Sequence, residues 1–203
     1  LHARGLHHWA QDNPNTGDLN IDAGETALSL YDLRRLKDAM RYGVTFFLTS
    51  FNIRRQISAF YQEGGSQAAS QHGSFVWSPS QVGMPVAVWD GTPIIASDYM
   101  VAEQVNTGNG ADARAKRTSG TNMHSIFAVK IGAPSLMQVD PGLILGFGGQ
   151  DRANGEFFKA ERFDKLEDYD AAGLRLVSYV NLLAGSTMAV GRIFDITDTL
   201  PSE

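Results

Sequence analysis

Val44, Thr45, Phe46, Phe47 and Leu48 form a short, nearly unbroken apolar run set between two amphipathic segments. A run that is short, β-branched and aromatic reads as a strand buried on both faces. Such a strand needs cover above and below, so the chain must build a layered core of sheet and helices. The segment before it opens at Ser29, a good helix N-cap, with Asp32 near the positive end of the helix dipole. Leu30, Leu33, Leu36 and Met40 recur at three- and four-residue steps, Arg34, Arg35, Lys37, Asp38 and Arg41 take the other face, and Gly43 offers a left-handed exit. The segment after the run can be capped by Ser50 or Asn52 and extends to about Glu63, with Ile53 and Ile57 inward and Gly64 and Gly65 closing it.

β character dominates the rest. Phe75–Trp77 suits an edge strand inside the Gly-, Ser- and Gln-rich stretch 64–82. Pro85–Trp89 and Ile94–Ser97 are two strand-like runs joined by the turn former Asp90-Gly91-Thr92-Pro93. Ser125–Ile131 alternates like a strand and stops at Gly132, while Leu174–Leu183 and Met188–Ile196 are long β-prone stretches. Residues 1–28, with the turn formers Asp12 to Gly17, read as a loop or short extended segment; residues 106–122 read as a long loop and 156–170 as a charged ribbon. The fold class is α+β, with helices early and strands late.

Composition excludes several functions. There is no cysteine, so disulfides, thiolate catalysis and cysteine-ligated metal sites are ruled out, which fits a reducing compartment. A net charge of −5 argues against long-range attraction of nucleic acid. No apolar run reaches the roughly 18 to 20 residues that span a bilayer, and Leu1 to Gly5 lack the apolar stretch of a secretion signal. The expectation is a soluble protein of intracellular origin with no membrane partner. A start at Leu1, without methionine, suggests part of a longer product.

Searching for chemistry yields weak candidates. His7, His8, Trp9 and Asp12 come nearest to a metal cluster, but adjacent histidines on an extended chain point apart and no further ligand pair sits at helical spacing, so no metal is expected. His2, His72 and His124 read as surface or core-edge residues. Gly146-Phe147-Gly148-Gly149 and Gly108-Asn109-Gly110 lack the lysine and hydroxyl of a phosphate loop, so no nucleotide or other cofactor is expected. There is no Gly-x-Ser-x-Gly elbow, and Asp164, Glu167 and Asp168 read as a solvated face. Arg114, Lys116 and Arg117 form a compact basic patch. It reads as a solvated loop or as a contact with an acidic neighbour such as segment 156–170 of another copy, and last as a nucleic-acid contact, since no aromatic interleaves with these bases. The expectation is a structural or interaction protein, not an enzyme.

Certain phrases, in their order, resemble the major capsid protein family of tailed bacteriophages, the Hong Kong ninety-seven type fold shared with encapsulins. They are Gly5-Leu6 with Trp9-Ala10, the helix of Leu30 to Met40, Phe46-Phe47-Leu48-Thr49-Ser50 before Arg54-Arg55, Gly83-Met84-Pro85-Val86, Gly91-Thr92-Pro93-Ile94-Ile95 with Ser97-Asp98, Ser125 to Gly132, Gly142-Leu143, and Leu174 to Tyr179 through Ala189 to Ile193. The resemblance runs over nearly the whole chain. It implies a peripheral-domain segment over 1–24, an axial domain with helices flanking a small sheet over 25–150, and return strands of a β-rich peripheral domain over 151–203. The family's N-terminal arm, extended loop and spine helix would precede Leu1, and no crosslinking pair carries over.

The implied function is a subunit that self-assembles into pentamers and hexamers of an icosahedral phage head around double-stranded DNA, made in the bacterial host cytoplasm and found in the virion. Scaffold, portal or decoration proteins would be further partners, and packaged DNA would be touched non-specifically. Arg114, Lys116 and Arg117 would lie at an intersubunit contact. Alternatives are an encapsulin-type shell around cargo enzymes, a small α/β hydrolase-like enzyme using Asp98 or the His7–His8 pair, and a monomeric binding module.

Overall fold

The computed structural model describes residues 5–11, 18–63, 75–79, 85–100, 102–103, 122–132, 141–148, 159–163, 173–177 and 179–199. Its elements in chain order are α1 (Leu6–Gln11), β1 (Asn20–Thr26), α2 (Leu30–Ala39), β2 (Phe46–Thr49), α3 (Phe51–Glu63), β3 (Phe75–Pro79), β4 (Pro85–Trp89), β5 (Thr92–Ala96), β6 (His124–Val129), β7 (Leu143–Gly148), β8 (Lys159–Phe163), β9 (Gly173–Val177), β10 (Tyr179–Ala184) and β11 (Val190–Ile196).

Seven strands form one sheet in the order β1-β11-β6-β2-β5-β4-β3. β1 runs parallel to β11 and β2 parallel to β5, while the other neighbours are antiparallel. β7 pairs with β10, and β8 with β9, as two separate antiparallel ribbons. The large sheet takes strands from each of the three segments that the family resemblance delimits, because β1 lies largely in 1–24 and β11 in 151–203.

Both faces of the sheet carry a core. Leu33 and Leu36 of α2 and Ile53 and Ile57 of α3 cluster with Phe47, Ile94, Ile126, Ala128 and Ile193. The strand neighbours of those residues point the other way, and Phe127, Val129 and Val190 gather with Ala10 of α1 and Leu143 of β7, with Phe46 and Leu48 packed alongside. The apolar run around Phe47 thus feeds both cores, and every residue of β6 is buried.

Local chemistry explains the element ends. The Ser29 hydroxyl accepts the Tyr31 amide at 3.1 Å to cap α2, and Gly43 after the helix has φ +79°. The Ser50 hydroxyl accepts the Ile53 amide at 3.4 Å at the start of α3. Asp90 and Gly91, at φ 46° and 75°, make a two-residue turn that pairs Trp89 with Thr92, tighter than the four-residue connection expected. Lys37 of α2 holds this turn, its ammonium 2.5 Å from the Asp90 carboxylate and 2.8 Å from the Asp90 carbonyl. The lysine is the chief reason that the exposed carboxyl lies below its usual range.

Two expectations need correction. Residues 1–28 include a helix and a strand, α1 and β1, because Leu6, Trp9 and Ala10 find apolar cover and Leu19 and Ile21 are buried. Gly146, Phe147 and Gly148, read from the sequence as part of a glycine-rich run, belong to a strand, β7, paired with β10.

Candidate functional site

A charged cluster lies on the α1 side of the sheet, where β6 and β11 meet. Arg192 is fully buried on β11, a charged residue flanked by Gly191 and Ile193. Its guanidinium donates from Nη2 to Glu103 Oε2 at 2.6 Å and from Nε to Ser125 Oγ at 3.1 Å. The Ser125 hydroxyl donates in turn to the same carboxylate oxygen at 2.9 Å, and His7 Nε2 lies 2.5 Å from the other, Oε1. Phe127 and Phe194 stack beside the guanidinium at 5.8 and 5.1 Å, and the His7 ring meets the Phe127 ring edge-on at 4.8 Å.

The backbone of Glu103 is fixed as well. It exchanges both amide bonds with Met123, at 2.6 and 3.0 Å, so the carboxylate is presented from a rigid bridge. Burial pushes the Glu103 carboxyl up, but the bond to His7 and the charge of Arg192 outweigh it and leave the group below its usual range. A buried ion pair is tolerated only when its remaining donors and acceptors are used, and here both carboxylate oxygens are engaged.

A second polar cluster abuts the start of β6. His124 lies between the Ser50 hydroxyl, 3.1 Å from Nδ1, and the Asn52 amide nitrogen, 3.2 Å from Nε2. An amide nitrogen can only donate, so Nε2 accepts and Nδ1 carries the proton toward Ser50. That tautomer is neutral, in keeping with a pKa lowered chiefly by burial.

Serine, histidine and carboxylate therefore come together, but not as a nucleophile relay. The Ser125 hydroxyl bonds to the carboxylate and to Arg192, and at 2% exposure it is closed to a substrate. The arrangement ties α1, β6, β11 and the 102–103 segment into one unit.

The sequence candidates fall as follows. His7 and His8 lie on a helix, not on an extended chain, and His7 turns to Glu103. Asp98 is exposed in the turn after β5. His124 is a buried, hydrogen-bonded residue at a strand start. Arg114, Lys116 and Arg117, like His2, His72, Asp12, Asp164, Glu167 and Asp168, lie outside the described residues. No group of three or more His, Cys, Asp or Glu side chains that could hold a metal ion occurs among the described residues. No helix among them is long and apolar enough to cross a membrane.

The sequence search passed over Glu103, Ser125 and Arg192, which are far apart in the chain. One signal was available: an arginine inside the apolar stretch Val190 to Ile196 is out of place unless it has a buried partner.

The large sheet is faced by α2 and α3 on one side and by α1 and the β7–β10 ribbon on the other, with its C-terminal strand inserted between β1 and β6. No protein-family profile matches the sequence, and no curated protein sequence matches it. A solved structure does. The encapsulin of the holo-SrpI complex from Synechococcus elongatus superposes with a TM-score of 0.58 at 18% identity over 92% of this chain. The chain spans 56% of the length of that encapsulin. The fold is therefore of the encapsulin type, the Hong Kong ninety-seven architecture to which the sequence phrases pointed.

Proposed function

We propose that this chain is a self-assembling shell subunit, its copies packing around five- and six-fold axes into a closed icosahedral particle. The observation that carries the reading is the agreement of fold with an encapsulin over 92% of the chain. Two features support it. The polar groups brought together in the core are spent on one another, as in a part whose work is geometric. The described surface also exposes large apolar side chains, among them Tyr31, Tyr99, Ile131 and Leu174, which suit contacts between copies. A shell of this kind sums many moderate interfaces and requires no active site, so the chain is read as a structural protein and not an enzyme.

Within that reading, the sequence phrases favour the head of a tailed bacteriophage around double-stranded DNA. It would be built in the bacterial host cytoplasm and carried in the virion, with portal, scaffold or decoration proteins as further partners. A negative subunit is compatible with such a head, since a wall binding phosphate tightly would hinder packaging and release. The structural neighbour favours a second reading, an encapsulin-type compartment around protein cargo.

Electron microscopy of the protein purified from its natural reading frame tests the proposal. Hollow, closed particles are expected, and a stable monomer at all concentrations would refute it. Nuclease treatment and mass spectrometry of the particle contents then separate a genome from an enzyme cargo.

A further inference from the structure

The solvent face of α2 is basic and aromatic in an otherwise acidic chain. With about 3.6 residues per turn, Tyr31, Arg34, Arg35 and Asp38 fall on one stripe opposite the buried Leu33 and Leu36, and all four are exposed, Tyr31 at 73%. Arg41 and Tyr42, just past the helix end, are exposed as well. Residues 30–42 set Arg34, Arg35, Lys37 and Arg41 against Asp32 and Asp38, while the chain as a whole has 22 acidic and 17 basic residues. Tyrosine and arginine are the residues enriched where proteins meet. Two of the cations fasten the helix, Arg35 to Asp18 at 3.2 Å and Lys37 to Asp90 at 2.5 Å. With the leucines buried beneath, the stripe is held in place before any partner arrives, so little order is lost on docking. Among the described residues, Arg34, Asp38 and Arg41 form no side-chain ion pair, although the charge of Arg34 adds slightly to the lowering of the Asp90 carboxyl.

We infer that two copies of this chain meet through this stripe, their α2 helices antiparallel about a two-fold axis that passes beside Leu36. The inference rests on the shell reading, since a closed icosahedral particle contains two-fold axes, and it names the surface that one such contact uses. Spacing and charge carry it. Arg34 and Asp38 lie equally far before and after Leu36, about 3 Å along the helix at roughly 1.5 Å per residue. In antiparallel register each Arg34 stands level with the partner's Asp38, so two ion pairs form at once. Tyr31 and Arg41 are likewise symmetric about Leu36, and each guanidinium reaches a tyrosine ring of the other copy. The stripe is thus its own complement, as an isologous contact requires. A phosphate backbone would meet Asp38 in the midst of the arginines, which disfavours nucleic acid as the partner. So small a contact is weak alone and gains its effect by repetition over a closed shell.

The test exchanges the charges. Wild type, Arg34→Asp, Asp38→Arg and the double variant Arg34→Asp/Asp38→Arg are compared by analytical ultracentrifugation and electron microscopy, with circular dichroism to show that each subunit is folded. Both positions are exposed, so the substitutions leave the core untouched. Each single variant sets like charges against each other and should raise the concentration needed for assembly about tenfold, whereas the double variant restores the pairing and should return to within about twofold of wild type. Because the chain has no cysteine, Arg35→Cys introduces a sole thiol next to the axis, at the loss of an exposed ion pair of little worth. Mild oxidation of its particles should yield disulfide-linked dimers. Single variants that assemble like wild type, a double variant no better than the singles, or oxidised particles without dimers would overturn the inference while wild-type particles keep the shell reading intact. Should wild type form no particles, dimers from Arg35→Cys in solution would sink the shell reading alone, and their absence would sink both. If Arg34→Asp lost DNA while assembling normally, the stripe would be a nucleic-acid surface and the inference would fail.

Discussion

Glu103 and Arg192, 89 positions apart in the chain, meet at 2.6 Å with their side chains only 4% and 1% exposed. Two charges withdrawn from water are stable there because Ser125, His7 and two aromatic rings complete their surroundings. Removing one partner strands the other.

Glu103→Gln and Arg192→Met should each destabilise the subunit by about 3 to 5 kcal/mol, since each leaves an uncompensated buried charge or donor set. Making both changes at once should cost clearly less than the sum, because an apolar side chain facing an amide strands only a neutral group. Urea denaturation of the four proteins closes the cycle. Single variants within 1 kcal/mol of wild type would show that the pair is not a keystone.

Acid should weaken the fold in two windows. The His124 pKa is depressed in the folded state, so the unfolded chain takes up a proton that the folded one refuses, and stability is full above about pH 6.5 and declines as pH falls below it. The Glu103 pKa is also depressed, so its contribution is present above about pH 4.5 and declines below that value. Denaturation midpoints from pH 8 to 4 check the first window. His124→Gln, which keeps a hydrogen-bonding amide, should flatten the slope between pH 6.5 and 5, and an unchanged slope would count against the neutral histidine.

Much of the fold was legible because its signals are local. Ser29 before the Leu30 to Met40 stripe, the apolar run at Phe47, and Asp90-Gly91 between two strands each act over a few residues and are found where expected. Phe75–Pro79 does lie at the sheet edge. What escaped depends on distant partners. α1 is six residues with mixed polarity, and it is held by Phe127 and Glu103 across the fold, not by its own periodicity. β1 ends in a Gly24–Glu25 bulge at positive φ, which masks its alternation. The polar keystone was invisible for the same reason: Glu103, Ser125 and Arg192 carry no mutual spacing.

Gly142→Ala should be among the most damaging small substitutions in the chain. A Cβ there would overlap the Gly132 amide nitrogen and lie only 2.6 Å from the Gly132 Cα and the Ile131 carbonyl carbon, all of them backbone atoms that cannot rotate away. The Gly132 amide donates to the Leu143 carbonyl at 2.8 Å and the Leu143 amide to the Lys130 carbonyl at 2.7 Å, so separating the segments would lengthen both bonds. A loss of about 2 kcal/mol or more is expected, or failure to fold, read as a fall in thermal midpoint or in soluble yield. A midpoint within 2 °C of wild type would mean that this close approach is not required.

Gly191 gives a contrasting case, because what it faces is a side chain. A Cβ at 191 would come within 2.5 Å of Leu36 Cδ1, where α2 presses onto β11 between two fully buried surfaces. Gly191→Ala should therefore cost about 1 to 3 kcal/mol by overpacking. Leu36→Val, which withdraws the clashing methyl, should cost about 1 kcal/mol alone through the space it leaves. Combined, the added Cβ occupies part of that space, so the double variant should be at least ~1 kcal/mol more stable than the sum of the single effects predicts. Additive losses would mean that α2 shifts as a body to admit the methyl group, and that the helix is held to the sheet less rigidly than its buried leucines suggest.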